Sequence, residues 1–276
     1  MYVRLCVPRP ERRMTATLPD VQGEADTRGV AIDEVGVGGL RYPVTFDDGV
    51  LRQSGVAEVE VTVGLHPERR GTHMSRMVQA VEAHFTTINP RELNTDFKAA
   101  ATILDVTDLR ITLTMPVATR VDSPVTTNSG YQVHDLSLCG RLQDDEFRLL
   151  CTVVTDVTTL CPCSKAISDY GAHNQRSRVS LSVEGENDTP YPVSVVDLLQ
   201  LIRSSASCPV YPVVKRPDER AITMAAYENP KFVEDLIRDL TTSCRSLGVS
   251  HRISARNIES IHSHDAVARL AWINGH

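Results

Sequence analysis

The order of the predicted elements constrains the fold of this chain more than any other feature. Alternation of apolar and polar residues predicts strands, and apolar residues spaced three and four apart predict helices. In the first half of the chain these patterns give strands at 40–45 and 56–65, helices at 74–85 and 93–104, and strands at 109–117 and 131–142. This ββααββ order is typical of an α+β fold in which helices back an antiparallel sheet.

The second half of the chain repeats that order. Its predicted elements are strands at 147–158 and 178–183, helices at 195–202 and 232–247, and strands at 250–255 and 266–272. The halves meet at the polar turn 143–146, so we predict a first module at 29–145 and a second at 146–276, duplicated in architecture rather than in sequence. Residues 1–28 lack either pattern and are expected to form a flexible N-terminal arm, in which Met14 is an alternative start.

Composition excludes several classes of protein. The 276 residues, 41% hydrophobic and 23% charged, suit a globular chain of one large or two small domains. A net charge of −6 has the wrong sign for a surface that binds nucleic acid, and no apolar run is long enough to span a membrane. Seven cysteines, an odd number, and the lack of a secretory signal predict reduced thiols and a cytoplasmic protein.

Sheet edges bear on assembly. Four strands per module leave two open edges, and closure into a barrel removes such edges. We therefore predict a homo-oligomer whose sheets continue from one subunit to the next.

The densest unusual segment joins two predicted strands. It reads CPCSK at 161–165 and is followed by His173. Thiolate and imidazole are the usual ligands of zinc and similar ions, and a glycine-containing loop can fold His173 back onto Cys161. Pro162 indicates an irregular strand end, at which only one cysteine need bind the ion. A buried cysteine pair beside a surface histidine explains the same residues without a metal.

Other polar segments admit both a simple and a functional interpretation. The charges of Lys215–Arg220, in a predicted connection between helices, are either solvated or part of a site. Glu234, near the start of a helix introduced by Asn229-Pro230, is either exposed or directed inward. A metal role is open for His262 and His264. Thr72 is predicted to cap a helix whose first turn, with His73 and Arg76, is able to receive a phosphate.

Taken together, seven segments resemble the type IB GTP cyclohydrolases. They are RGVAIDEVGV at 28–37, LRYPV at 40–44, GTHMSR at 71–76, LCPCSKAISDYGAHNQRS at 160–177, KRPDE at 215–219, AYENPKFVED at 226–235 and NIESIHSHDA at 257–266. They follow the order expected of that family from about Arg28 to Trp272. The string CPCSK followed by YGAHNQRS is the most specific of them.

The resemblance implies a tunnelling fold with two modules per subunit. It also implies a homotetramer with active sites at the subunit interfaces. The second module is expected to supply most residues of each active site. The implied reaction converts GTP and water to 7,8-dihydroneopterin triphosphate and formate, the entry step of folate and pterin synthesis. Position by position, the ligands of one divalent ion, which is zinc, manganese or ferrous iron, fall on Cys161, His173 and Glu219. The guanine anchor falls on Glu234.

The implied chemistry suits these residue types. Attack of water on C8 of guanine near neutral pH needs an ion that lowers the pKa of bound water to about 7. Glu234 is able to accept two hydrogen bonds from the N–H edge of guanine, which adenine lacks. Cys163 is expected to be a spare ligand or a neighbour of the site, and His262 and His264 to transfer protons or shape the pocket. The candidates to bind the triphosphate, chosen by motif and charge, are Lys165, Arg176, Lys215, Arg216, His73 and Arg76.

Two alternatives stay open at this point. A nitrile reductase of queuosine synthesis has the same fold but uses a cysteine nucleophile and NADPH without a catalytic metal, and the His173 and Glu219 segments disfavour it. A pterin- or purine-binding module with a structural metal would bind GTP and release no formate. The sequence leaves open the native metal and the choice between a linear and a cyclic phosphate product.

Overall fold

A computed structural model describes residues 20–275, so residues 1–19 of the predicted arm and residue 276 lie outside the described residues. The strands are β1 (Ile32–Asp47), β2 (Arg52–Leu65), β3 (Thr87–Ile88), β4 (Asp108–Asp122), β5 (Ser129–Gln143), β6 (Glu146–Leu160), β7 (Asn174–Glu186), β8 (Cys208–Pro209), β9 (His251–Ile258) and β10 (Ala266–Trp272). The helices are α1 (Met74–His84), α2 (Leu93–Leu104), α3 (Pro162–Ile167), α4 (Val195–Ser205), α5 (Arg216–Glu228) and α6 (Val233–Ser246).

All ten strands belong to one sheet, in the order β10-β9-β7-β6-β5-β4-β2-β1-β3, with β8 paired to β6. The pairs are antiparallel except for β1 with β3. The two halves show the same arrangement in chain order, β1-β2-β4-β5 and β6-β7-β9-β10, and meet at the β5–β6 hairpin. Asp144 and Asp145 form its two-residue turn with positive φ angles of 49° and 68°, which a tight hairpin connection requires.

One hydrophobic core runs beneath both halves of the sheet. In the first half, Phe97 of α2 packs against Phe85 at a ring distance of 5.5 Å. The same ring lies 4.9 Å from Phe147 of β6, in the second half. Gly140 allows this contact, because a Cβ atom there would lie 2.3 Å from the Phe97 ring. The helices of the two halves therefore share a continuous core rather than two separate ones.

The predicted order of the long strands and of four helices is confirmed, and two local predictions in the second half are wrong. Lys215–Arg220 is not a connection, because α5 begins at Arg216. The CPCSK segment is not a strand end, because helix α3 begins at Pro162. The helix predicted at 232–247, after Asn229-Pro230, is confirmed as α6, which begins at Val233. Within the described residues, no helix is both long and apolar enough to cross a membrane.

The end of the predicted arm that the structure describes is paired with the following segment. The Asp26 amide donates to the Glu68 carbonyl at 2.9 Å, and the Arg70 amide donates to the Glu24 carbonyl at 3.1 Å. Residues 24–26 therefore have fixed backbone partners, in contrast to the expectation for the whole of residues 1–28.

Candidate active site

The β6–β7 ladder brings Cys161 and His173 together. Leu160 and Asn174 form its last residue pair, so the two candidate ligands lie side by side just beyond it. The Cys161 amide donates to the His173 carbonyl at 3.0 Å, and the His173 amide donates to Ser164 Oγ at 3.1 Å. The intervening loop therefore folds His173 back onto Cys161, as the sequence predicts.

Cys161 is the N-cap residue of α3. Its half-buried Sγ accepts a hydrogen bond from the Ser164 amide at 3.4 Å, and Pro162 occupies the first helical position, which suits proline. Cys163 lies in the same helix, exposed to solvent. The two thiols therefore differ in environment, and the less exposed one belongs to Cys161.

A carboxylate and two further histidines lie near His173. Glu259 Oε2 lies 3.9 Å from Nδ1 of His173 and 3.3 Å from Nδ1 of His262. The ring centres of His173 and His262 are 6.4 Å apart, and those of His262 and His264 are 5.5 Å apart. The Glu259 side chain is only 10% exposed. Sequence reasoning selected the histidines of NIESIHSHDA and missed Glu259, although it lies in the same string.

Glu219 lies on α5, which packs against the ends of the same loop. Ile222 and Ala226 of α5 contact the cluster of Leu160 and Ala172, the residues that precede Cys161 and His173. Because residues three and seven positions apart share a helix face, Glu219 belongs to the face that packs there. Its side chain is exposed, and no three His, Cys, Asp or Glu side chains between residues 20 and 275 converge as a metal site. The three-ligand set stays a prediction.

Asp218, next to Glu219, is a buried carboxylate that sequence reasoning also missed. Its Oδ1 accepts from the amides of Val125 and Thr126 at 2.9 and 2.8 Å, and its Oδ2 accepts from Thr126 Oγ1 and the Lys215 amide at 2.6 and 2.9 Å. Burial raises the pKa of Asp218, but these hydrogen bonds outweigh burial and hold the pKa below its usual value. Asp218 therefore joins the start of α5 to the β4–β5 loop.

Replacing Asp218 with asparagine is expected to lower the melting temperature at pH 7, because an amide brings an N–H group against the donors that surround the carboxylate. Since the folded-state pKa is depressed, the carboxylate stabilises the fold above about pH 4 and loses that effect as the pH falls. The difference in melting temperature between wild type and variant should therefore shrink below about pH 4. A difference that grows towards low pH would contradict this assignment.

Glu234 lies in the first turn of α6. The Lys231 amide donates to the Leu160 carbonyl at 3.0 Å, which anchors the approach to α6 next to Cys161. Glu234 itself is exposed in the single chain. Contacts within one chain therefore do not hold its carboxylate in an inward position, which guanine binding needs. Its place near the Cys161 loop is compatible with the predicted anchor.

Four of the six predicted triphosphate-binding residues lie on elements around this loop. Lys165 of α3 donates to the Tyr227 carbonyl and sits 4.3 Å from the centre of that ring. Arg176 of β7 lies 3.9 Å from the Asp156 carboxylate. Lys215 and Arg216 are exposed at the start of α5. Lys165 thus already has local partners, whereas the side chains of Lys215 and Arg216 face solvent.

His73 and Arg76 lie at the opposite end of the sheet. They line a cavity of about 260 Å³ together with Leu65, at the end of β2. Strands β2, β4, β5 and β6 are neighbours and pair antiparallel, so the end of β2 and the start of β6 lie at the same end of the sheet. Cys161 follows the other end of β6. Fifteen residues of β6 span on the order of 45 Å. His73 and Arg76 therefore do not share a site with Cys161 within one chain.

The prediction that Thr72 caps α1 is wrong. The residue that precedes the helix is His73, and no side chain caps it. His73 Nδ1 instead lies 3.1 Å from Gln22 Oε1, and its Nε2 lies 3.4 Å from Asp20 Oδ2. The same end of the sheet holds a larger open cavity of about 1130 Å³, which no predicted site residue lines.

Comparison with solved structures finds the same overall fold in uricases. A uricase from Bacillus fastidious superposes with a TM-score of 0.51 at 8% identity, over 88% of this chain and 94% of the uricase. At that identity the likeness concerns the fold alone, and it confirms the α+β tunnelling fold. Assembly of the modules into an oligomeric barrel stays a prediction.

Comparison of sequences is more specific. A family model described as "Type I GTP cyclohydrolase folE2" matches residues 18–268. "GTP cyclohydrolase FolE2" of Neisseria meningitidis serogroup A is 38% identical over 264 residues, covering 95% of this chain and 87% of the relative. The protein of the same name from Akkermansia muciniphila is 43% identical, covering 91% of this chain and 96% of the relative. The chain belongs to the type I GTP cyclohydrolase FolE2 family.

Proposed function

We propose that this protein is a metal-dependent GTP cyclohydrolase that converts GTP and water to 7,8-dihydroneopterin triphosphate and formate. Membership of the FolE2 family supports the substrate and the class of reaction. The observation that carries the site assignment is that Cys161 and His173 lie side by side, with Glu259 and His262 next to His173. In this proposal GTP binds at that end of the sheet.

The donor groups present suit a divalent transition ion. A thiol, an imidazole and a carboxylate from Cys161, His173 and Glu219 form a mixed set that zinc, manganese or ferrous iron accepts. His173 Nδ1 already has a partner in Gln175 Oε1 at 2.9 Å, which leaves Nε2 as the nitrogen able to bind an ion. When bound, such an ion supplies Lewis acidity and lowers the pKa of water.

The remaining residues bind the base and handle protons. Glu234 is proposed to accept hydrogen bonds from N1–H and the 2-amino group of guanine, which orients C8 and rejects adenine. His262 adjoins Glu259, and His264 adjoins His262. Both histidines are proposed to hold and return protons as the imidazole ring opens and formate leaves. Lys165, Arg176, Lys215 and Arg216 are the proposed partners of the triphosphate on this side.

The separation of the two basic groups supports a site shared between subunits. His73 and Arg76 lie at the far end of the sheet from Cys161, so they are able to bind the same triphosphate only if another subunit supplies them. We propose a homotetramer with such shared sites. Light scattering at micromolar concentration should give the mass of four 30.4 kDa chains. A single-chain mass in active protein would contradict shared sites.

Product analysis tests the proposed reaction. Purified protein is incubated anaerobically with GTP and zinc, manganese or ferrous iron in parallel, and formate and the pterin are identified by mass spectrometry. The proposal predicts equal amounts of formate and 7,8-dihydroneopterin triphosphate, with loss of activity on chelation and recovery on adding metal. A cyclic phosphate pterin would correct the product, and GTP binding without formate would indicate a binding module instead.

A further inference from the structure

A chain of buried polar side chains leads away from His173 into the sheet. Gln175 Oε1 lies 2.9 Å from His173 Nδ1, and Gln175 Nε2 donates to Thr159 Oγ1 at 2.9 Å. Thr159 Oγ1 lies 2.8 Å from Ser177 Oγ, and Ser177 Oγ donates to Asn257 Oδ1 at 2.6 Å. The chain crosses β7, β6 and β9.

These four residues are almost completely excluded from solvent. Gln175 is 7% exposed, Asn257 is 3% exposed, and Thr159 and Ser177 are not exposed at all. Most side chains at such positions of a sheet are apolar, and a buried polar group is costly unless it is hydrogen-bonded. Each of these four side chains is hydrogen-bonded to the next, so the buried polar groups are tolerated as one connected network.

The network has a direction, because each hydroxyl has one proton to donate. Ser177 donates its proton to Asn257, so Thr159 must donate to Ser177. Thr159 then accepts from the amide nitrogen of Gln175, which turns the Gln175 oxygen towards His173. An amide oxygen only accepts, so the neutral His173 ring keeps this hydrogen bond only with its proton on Nδ1; Ser260 Oγ, at 3.4 Å from Nδ1, is the longer contact. The nearby Glu259 carboxylate, 3.9 Å from Nδ1, favours the same form.

We infer that Asn257, Ser177, Thr159 and Gln175 are positioning residues that hold His173 in the tautomer with a proton on Nδ1 and a free electron pair on Nε2. This inference deepens the proposed function, because a free Nε2 pair is what an imidazole needs to bind a metal ion. Asn257 thereby acts on the site from a neighbouring strand, although it is buried and four successive hydrogen bonds separate it from His173.

The chain offers a matched control for this network. Thr152 and Ser182 form a second threonine–serine pair between the same two strands, with their hydroxyl oxygens also 2.8 Å apart. The ladder places this pair away from the Cys161 end, and its hydroxyls are not hydrogen-bonded to the His173 network. Ser182→Ala and Thr152→Val therefore each remove one hydroxyl from the same strands and leave the hydrogen bonds that lead to His173 intact.

Nitrogen NMR of histidine-labelled, metal-free protein at a pH where the rings are neutral reads the tautomer directly. Comparison with His173→Asn identifies the His173 signals among the nine histidines. We expect the wild type and both control variants to show the proton on Nδ1. In Ser177→Ala and Thr159→Val, Gln175 is free to turn its amide nitrogen towards His173, so the proton should move partly to Nε2.

Zinc affinity, measured by competition with a chelator, should fall about 10- to 100-fold in Ser177→Ala and Thr159→Val and stay unchanged in the controls. A wild-type proton on Nε2, or an unchanged tautomer and zinc affinity in both network variants, would overturn the inference. If one network variant fails to fold, the other variant and the wild-type tautomer together decide. These readouts need no GTP, so a failure to release formate would refute the proposed function and leave this inference standing.

Discussion

Replacing Cys161 with alanine is expected to lower kcat/KM for GTP at least about a thousandfold, equivalent to about 4 kcal/mol of transition-state stabilisation. The proposed ion would lose its sulfur ligand, while the loop would keep the Cys161 backbone hydrogen bond to His173. The fold should therefore survive, since Cys161 is half-buried and lies outside the large core. Steady-state formate release and far-ultraviolet circular dichroism measure the two effects separately.

Two other cysteine variants make this experiment specific. Cys139 lies on β5, where its Sγ accepts from Arg110 Nε at 3.4 Å, and Cys139→Ala should keep wild-type turnover. Cys163→Ala tests the neighbouring thiol of the same motif, which is exposed. Loss of activity in Cys163→Ala together with full activity in Cys161→Ala would show that the ligand assignment is wrong.

Replacing Glu234 with glutamine is expected to lower kcat/KM for GTP about a hundredfold. A hydrogen bond to a charged group contributes about 1.5–3 kcal/mol, and glutamine would present an N–H group to the N–H edge of guanine. Because the anchor acts on the base, the variant should also lose part of its preference for GTP over inosine triphosphate, which lacks the 2-amino group. Kinetics with both nucleotides measure this.

Glu228→Gln is the matched control for the Glu234 variant. Glu228 is exposed at the end of α5 and has no proposed role, so its replacement should leave both rates unchanged. If Glu234→Gln kept the wild-type rate and the wild-type preference for GTP, the guanine edge would have to be bound by another residue.

Local patterns predicted the elements well because each follows from neighbouring residues. Strand alternation and helical spacing gave the order of the long strands, and the turn at Asp144 and Asp145 is where the polar residues indicated. Helix α5 was not predicted at all, although the signals of its start are local. Pro217 lies in the first turn, and the Asp218 carboxylate accepts from the Lys215 amide at the N-cap, both typical of a helix start. The dense charge of KRPDE instead favoured a solvated connection between helices.

The missed site residues depend on partners that are distant in sequence. Asp218 is buried because Val125 and Thr126 donate to it, more than ninety residues earlier in the chain. Glu259 differs from other glutamates because it lies 3.9 Å from His173, which is 86 residues earlier in the chain and directly precedes β7. Neither pairing leaves a pattern in the local sequence. Cys161 and His173 were predictable because a single short loop joins them.

The family and the site geometry bear differently on the two alternative functions that the sequence leaves open. Membership of the FolE2 family and the gathering of His173, Glu259 and His262 favour hydrolysis over the nitrile reductase reaction. A binding module with a structural metal has the same ligands, so only turnover separates it from the enzyme.

The central proposal is that one metal ion is held between Cys161 and His173. A crystal structure of the manganese- or zinc-loaded protein, with anomalous diffraction recorded at the metal edge, tests it most directly. We predict one anomalous peak per active site, bonded to Cys161 Sγ and His173 Nε2, with a carboxylate oxygen of Glu219 as the third protein ligand. A peak elsewhere, or Cys161 and His173 side chains directed apart in metal-loaded, active protein, would contradict the account.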